Sequence, residues 1–499
     1  MEKRLRSYWP EWCAWFVYAS LVAAAIPYHE PFADEAQAWQ LARSLSLASL
    51  FKTYIHYEGT PGLWYFLMWA MQRLHIGYAG LHWICGAIAT TAVWLLLFKS
   101  PLPRYLKLTL PFTYFLLFQY AVVARSYALA PLFLFLIALW WKQNPIRVAL
   151  ALGFLANVSL HTAVLSGGLA TVYLIEQIRK RNGAAQRNWR KLLLCALLLL
   201  AFYAFAIWTA WPPHDLGMQR WVRGEHRPIS ATISAAIVSL TWAVCQPPIV
   251  SILFWGVIAL WFTARRKLLY LLPVLYFAIF CGAVRCAWWN AGLLIPYLAC
   301  ALWITWPAPG SRPYEFDKAA RVALATLIGT QILWTGYALF YDHYYAFSPD
   351  AAAAEFLKPF VTEGAKIAVT YWTDDPTWEI RAYPSVGIQP YFDHNIYANT
   401  PYPFWWWSDQ DSSEDRFEAI LPSHPQIVLV ETVYLRSVQK LDLDHPKYAA
   451  LMRDGYRYRS AYCGAQPQGW GLGATICHVF LEYYGGNGAA EAQELSERR

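Results

Sequence analysis

The feature that most constrains this chain is a succession of long apolar runs, each closed off by a short cluster of Lys and Arg. About 20 apolar residues make a helix long enough to cross a bilayer. Runs near 9–26, 79–98, 107–123, 126–142, 146–161, 163–178, 191–211, 248–264, 267–284, 289–306 and 319–341 read as spans, eleven in all. Of 499 residues only 14% are charged, against about a quarter in soluble domains, so neither disorder nor an ordinary soluble globule fits. The basic residues sit in short clusters between apolar runs, a pattern that sets membrane orientation and does not point to nucleic acid.

Lys3, Arg4 and Arg6 precede the first run. With the amino terminus in the cytoplasm, 20 of the 28 basic residues of 1–341 fall in inside loops. That arrangement obeys the positive-inside rule and places the carboxyl end outside. Two further helical stretches, 61–76 and 231–247, would reverse this order as spans and read as interfacial helices on the outer face. Residues 1–26 have an A-x-A-like site at Ala23 and Ala25, but the run is long for a signal peptide, and an uncleaved anchor is favoured.

Charge also marks where the membrane part ends. Residues 1–341 carry a net +17, whereas residues 342–499 carry 12 basic and 21 acidic residues, a net −9. The expected organisation is a membrane domain over 1–341, with a first outer loop at 27–78. An extracytoplasmic α/β domain over 342–485 and a disordered tail over 486–499 follow. Within the α/β domain, 366–371 (KIAVTY) and 426–431 (QIVLVE) read as buried strands, 456–462 and 474–481 as later strands, and 351–361 and 445–454 as helices. Seven of the nine cysteines lie in the membrane half and read as small apolar residues. Cys463 and Cys477 are a natural disulfide if their compartment is oxidising, with two buried thiols as the other reading. No metal-binding spacing, Walker A or GxGxxG motif is present, which argues against a nucleotide-driven pump.

Four acids, Glu30, Asp34, Glu35 and Glu58, gather in the first outer loop. Ionisable groups close to a membrane are costly and tend to mark function. An acid at 34 or 35 also suits the start of a helix, where it would cap the helix and complement its dipole. Arg125, His161 and Arg285 stand at outer ends of spans, where each could instead snorkel to headgroups. Together, acids and fixed cations suit one chemistry: a carboxylate takes a proton from a nucleophile while arginines stabilise a departing phosphate.

The order of these features resembles the GT-C superfamily of membrane glycosyltransferases, in particular the branch of protein mannosyltransferases and aminoarabinose transferases. Asp34-Glu35 matches that family's acidic motif in the first outer loop. Glu58-Gly59-Thr60-Pro61-Gly62-Leu63-Trp64-Tyr65 is an altered form of its acid-or-His, Pro-Pro-Leu-Tyr segment. Ala124-Arg125-Ser126-Tyr127-Ala128 matches its Ala-Arg-x-Tyr-Ala segment, and His161 and Arg285 match its later His and Arg, with Cys286 where a Tyr or His often follows. The resemblance implies a GT-C-like fold in a cytoplasmic (inner) membrane and a sugar carried on polyprenyl phosphate. It implies inverting transfer to a hydroxyl of a glycan, lipid or protein acceptor on the extracytoplasmic face. It implies Asp34 as base, Glu58 as the next candidate, and Glu35 as orienting or helix-stabilising. Arg125 and Arg285, assisted by His161, would hold the phosphate. Some relatives hold a divalent metal near the acids, for which His56, Glu58 and His214 are the candidates here. A transporter or flippase of lipid-linked saccharide is the alternative, but its ionisable residues would cluster at the bilayer midplane.

Overall fold

The computed structural model describes residues 8–179, 189–217, 228–284, 286–307, 315–373, 385–408, 413–434, 441, 443 and 445–485. The expectations for Lys3, Arg4, Arg6, Arg285 and the tail after Gly485 lie outside the described residues. The chain divides into two compact units: Met1–His29 with Leu47–Pro213 and Gln219–Phe340, and Glu30–Ser46 with His214–Met218 and Tyr341–Arg499.

The first unit is helical. Four of its described helices, Tyr78–Lys99, Arg190–Ala210, Trp288–Thr305 and Asp317–Tyr344, are long and apolar enough to cross a membrane. A fifth span is available if Ile229–Val244 and Pro248–Ala264 count as one, although they meet at 83°. Pro247 and Pro248 cause that bend, since proline supplies no N–H to the helical ladder. Ser251 Oγ hydrogen-bonds the Cys245 carbonyl at 2.6 Å across it. Apolar helices at Leu129–Trp140, Pro145–Ala156 and Leu272–Ala283 are shorter. The stretch 107–123 differs from a continuous span: α at Arg104–Thr109, 3-10 at Leu110–Phe112 and a π turn at Phe115–Gln119. Pro111 accounts for the first interruption.

Small residues let these helices close on one another. A Cβ at Gly168 would stand 2.6 Å from the Pro273 Cα, and one at Gly282 would stand 2.7 Å from the Thr232 carbonyl oxygen. Such close approach brings the helices into direct van der Waals contact, the kind of packing that small residues permit between membrane helices. All twelve residues of Leu294–Thr305 are buried, so this helix is internal to the unit. Leu63–Arg73 is amphipathic, burying Trp64, Tyr65, Met68 and Met71 and exposing Phe66.

The second unit is built on a four-stranded sheet of order β1-β2-β4-β3, with β1 at Ile367–Thr373, β2 at Ile427–Tyr434, β3 at Tyr456–Gln468 and β4 at Gly471–Tyr483. β1 and β2 are parallel; β4 runs antiparallel to both β2 and β3. Strand residues alternate between faces. Ile367, Val369, Ile427, Leu429 and Phe480 pack with Ala353, Ala354 and Leu357 of helix Asp350–Thr362. Ala368, Val428, Val430, Val479 and Leu481 pack on the other face with Phe417, Tyr448 and Leu451 from helices Ser413–Ile420 and Pro446–Arg453. Burial on both faces explains why β1 and β2 read as continuous apolar runs. Cys463 and Cys477 face each other across β3 and β4 and form a disulfide.

Two distant segments complete this unit. Helix Ala33–Ser44 donates from Gln37 Nε2 to the Trp405 carbonyl at 2.9 Å and accepts from the Trp405 N–H at 2.8 Å. Arg43 donates to the Phe392 carbonyl at 2.7 Å. At 214–218, Asp215 accepts from Ser408 Oγ at 2.7 Å, and Gly217 N–H donates to the Trp407 carbonyl. Trp405 and Trp407 are buried, while Trp470 is exposed.

Candidate functional site

Glu58, His56, Arg125 and His161 belong to the first unit; Asp34, Glu35 and His214 belong to the second. In the first unit, Glu58 follows a 3-10 turn, Tyr54–Tyr57, and Gly59 adopts φ +59°, a left-handed conformation that glycine enters without steric cost. The chain thereby turns into helix Leu63–Arg73, whose Tyr65 hydroxyl donates to Glu58 Oε2 at 3.0 Å. A half-buried carboxylate is thus fixed to the helix that follows it. His56 packs its ring on Trp208 at 5.6 Å.

That helix opens onto an apolar cavity of about 690 Å³, lined among others by Phe51, Lys52, Gly62, Leu63, Phe66 and Trp208. Aromatic and aliphatic walls with one amine suit a hydrocarbon chain bearing an anionic end. A second apolar cavity, about 790 Å³, lies along Asp317–Tyr344 and includes Phe254, Phe316 and Lys318 among its lining residues.

Arg125 is held in an aromatic cradle. Its guanidinium carbon lies 4.3 Å from the Trp289 ring centroid and 5.6 Å from that of Tyr127. The cradle is itself fixed by hydrogen bonds. Tyr127 accepts from Asn290 Nδ2 at 2.6 Å, Asn290 Oδ1 accepts from the Ala287 N–H at 2.9 Å, and the Tyr120 hydroxyl donates to the Trp289 carbonyl at 2.6 Å. Cation–π contact of this kind is worth roughly 0.5–2 kcal/mol. The segments 120–128 and 287–290 make this cradle jointly, and only Arg125 and Tyr127 of it had a sequence signature.

His161 has different neighbours. It is buried at the start of helix Leu160–Arg179, with its ring 5.8 Å from that of Phe277 and 5.2 Å from that of Phe280. One donor atom each from His161, Cys281 and Cys286 lie within 4.8 Å of one another. Reading the membrane cysteines as small apolar residues passes over this trio; the Cys-x4-Cys spacing was the available signal.

In the second unit, Asp34 and Glu35 occupy the first turn of helix Ala33–Ser44. Glu35 is wholly buried, and its carboxylate accepts the Phe32 N–H at 2.8 Å, which caps the helix. Asp34 is half-buried beside it. A further polar group, absent from the sequence reading, lies inside the sheet unit. His478 Nε2 sits 2.7 Å from Asp350 Oδ1, Ser348 Oγ donates to Asp350 Oδ2, and Glu431 pairs opposite His478 across β2 and β4. Burial pushes the Glu431 carboxyl up to about 7, opposed in part by His478. Gly387 leaves the space that Asp350 fills, since a Cβ there would meet Oδ2 at 2.0 Å.

Comparison of the chain with protein-family models, with curated proteins and with solved structures finds no match.

Proposed function

We propose that the protein is a membrane glycosyltransferase that takes a sugar from a polyprenyl-phosphate carrier and passes it, with inversion, to an acceptor hydroxyl at the extracytoplasmic face of the cytoplasmic membrane. The eleven apolar stretches cross or enter the bilayer in this reading, and two further helices, Leu63–Arg73 and Ile229–Val244, lie at its outer surface. The observation that carries it is the apolar cavity of about 690 Å³ that Gly62 and Leu63 help to line, a few residues after Glu58. A cavity of this character suits the lipid of a lipid-linked donor better than a free sugar.

In the reaction the bond between the anomeric carbon and the phosphate oxygen breaks, and a bond from that carbon to the acceptor oxygen forms. The acceptor proton goes to a carboxylate. Polyprenyl phosphate leaves as an anion and needs positive charge, not a proton. Arg125 supplies that charge from its aromatic cradle, and Arg285 is the second guanidinium assigned to the role. His161, the residue expected to assist them, is surrounded by phenyl groups and thiols. The base is Asp34, with Glu58 second; Glu35 is occupied as a helix cap. An oxocarbenium-like transition state gains from a nearby carboxylate, which either acid could provide. A divalent metal, if held by His56, Glu58 and His214, would add Lewis acidity.

The test is sugar transfer in proteoliposomes from a labelled polyprenyl-phosphate sugar. Arg125→Ala and Asp34→Asn should each lower turnover about 100-fold or more while the protein stays folded. Arg125→Lys should not restore activity, because an ammonium lacks the planar fork. Movement of lipid-linked sugar across the bilayer without transfer would replace this reading with the flippase.

A further inference from the structure

We infer that His161, Cys281 and Cys286 form a zinc site in the first unit. Their donor atoms, one ring nitrogen and two sulfurs, lie within 4.8 Å of one another. Around a tetrahedral zinc, with Zn–S near 2.3 Å and Zn–N near 2.0 Å, such donors stand about 3.5–3.8 Å apart. The trio is therefore within an ångström or so of ligating distance, without any change of fold.

The local structure explains how the ligands meet. Helix Leu272–Ala283 carries Cys281 in its last turn, where the side chain is fully buried. The helix stops as Val284 becomes extended, at φ −124° and ψ 156°. Cys286, half-buried, comes next to Cys281 just past that end. His161 arrives from helix Leu160–Arg179, which Gly168 holds tightly against Pro273. Both cysteines are free thiols.

An independent observation points to a ligand. His161 is 8% exposed, and its Nε2 has no hydrogen-bond partner. A buried polar atom in that state carries an uncompensated desolvation penalty unless something occupies it. Thiolates and imidazole select zinc or copper(I) over magnesium or calcium. Charge separates the first two. Two thiolates and a neutral imidazole around Zn²⁺ sum to zero, whereas around Cu⁺ they leave a net negative charge among Phe277 and Phe280. Burial favours the neutral set. Three protein ligands leave a fourth position open, the arrangement of zinc sites that bind water or substrate.

The test is independent of sugar transfer. The full-length protein, purified in detergent with a mild reductant, should carry one zinc per chain by elemental analysis. After chelation, Co²⁺ should restore a site with the near-ultraviolet thiolate-to-cobalt charge-transfer band. Cys281→Ser and Cys286→Ser should each abolish or halve that band. His161→Gln should keep thiolate bands but bind at least about 10-fold more weakly, since even outer-shell partners carry that much. Cys300→Ser, at another buried cysteine, should change nothing. In the wild type, zinc should protect Cys281 and Cys286 from alkylation in peptide mapping, which holds the inference to account even if a variant misfolds. Absence of both zinc and the cobalt band, a native Cys281–Cys286 disulfide, or binding unchanged in all three ligand variants would overturn it.

Discussion

At the scale of single residues, Glu431 shows how a buried carboxyl ties stability to pH. Burial pushes its carboxyl up to about 7 in the folded protein, against 4.5 for an unperturbed group. Between those values the native state binds more protons than the unfolded chain, so stability falls as pH rises through that window and levels off above it. The gap corresponds to at most about 3–4 kcal/mol, shared with His478 and Asp350, whose charges act on the same carboxyl. Glu431→Gln should therefore raise the melting temperature of the second unit at about pH 8, leave it nearly unchanged at about pH 5, and flatten the slope between. Limited proteolysis during thermal unfolding of the full chain measures this; a variant that tracks wild type at both pH values would show that Glu431 does not titrate there. None of this was legible in the sequence, where Glu431 is only the polar end of QIVLVE. Its partners lie 81 residues upstream and 47 downstream. Glu35 is the opposite case: an acid in the first turn of a helix has a local reason to be there, and capping the Phe32 N–H is that reason.

At the scale of elements, local pattern carried far. The strands at 367–373 and 427–434 and the helices at 350–362 and 446–453 follow from apolar runs and periodicity that neighbouring residues supply. What local pattern could not carry was continuity. The apolar run over 107–123 has span composition, yet Pro111 and the π turn after it break the ladder. Helix packing likewise depends on pairs that no periodicity reveals. Gly282→Val would push a side chain onto the Thr232 carbonyl, and Gly168→Val onto the backbone of Pro273. Each should cost about 1–3 kcal/mol by overpacking. The readout is a lower yield of monodisperse protein and a lower melting temperature. Gly329→Ala, with open space at its Cβ, serves as the neutral comparison. Glu11 makes a similar point with charge: buried, and paired with Arg104 at 3.1 Å and Lys107 at 3.4 Å, it fastens helix Trp9–Ala25 to the broken segment. Glu11→Ala should destabilise the unit, with the effect reduced but not erased at high salt because Glu11 itself is buried.

At the scale of the whole molecule, the Cys463–Cys477 disulfide closes a separation of 14 residues, for which the chain-entropy model gives about 3 kcal/mol. Replacing both cysteines by Ser should lower the second unit's melting temperature while sparing that of the first. Equal melting with and without reductant would argue against that contribution. The charge asymmetry of the two halves is visible from composition, but it gives no sign that Glu30–Ser46 and His214–Met218 join the carboxyl-terminal unit, since the bonds responsible, such as Gln37 to Trp405, connect residues 368 apart. That separation has a consequence during synthesis. Gln37 leaves the ribosome long before Trp405 exists, a wait of roughly 20–70 s at ordinary elongation speeds. Throughout it, helix Ala33–Ser44 must stand by with eight residues, 35–42, that end up shielded still facing water or a chaperone. A holdase, or slow local codons downstream, would therefore influence how much of the finished polypeptide matures correctly.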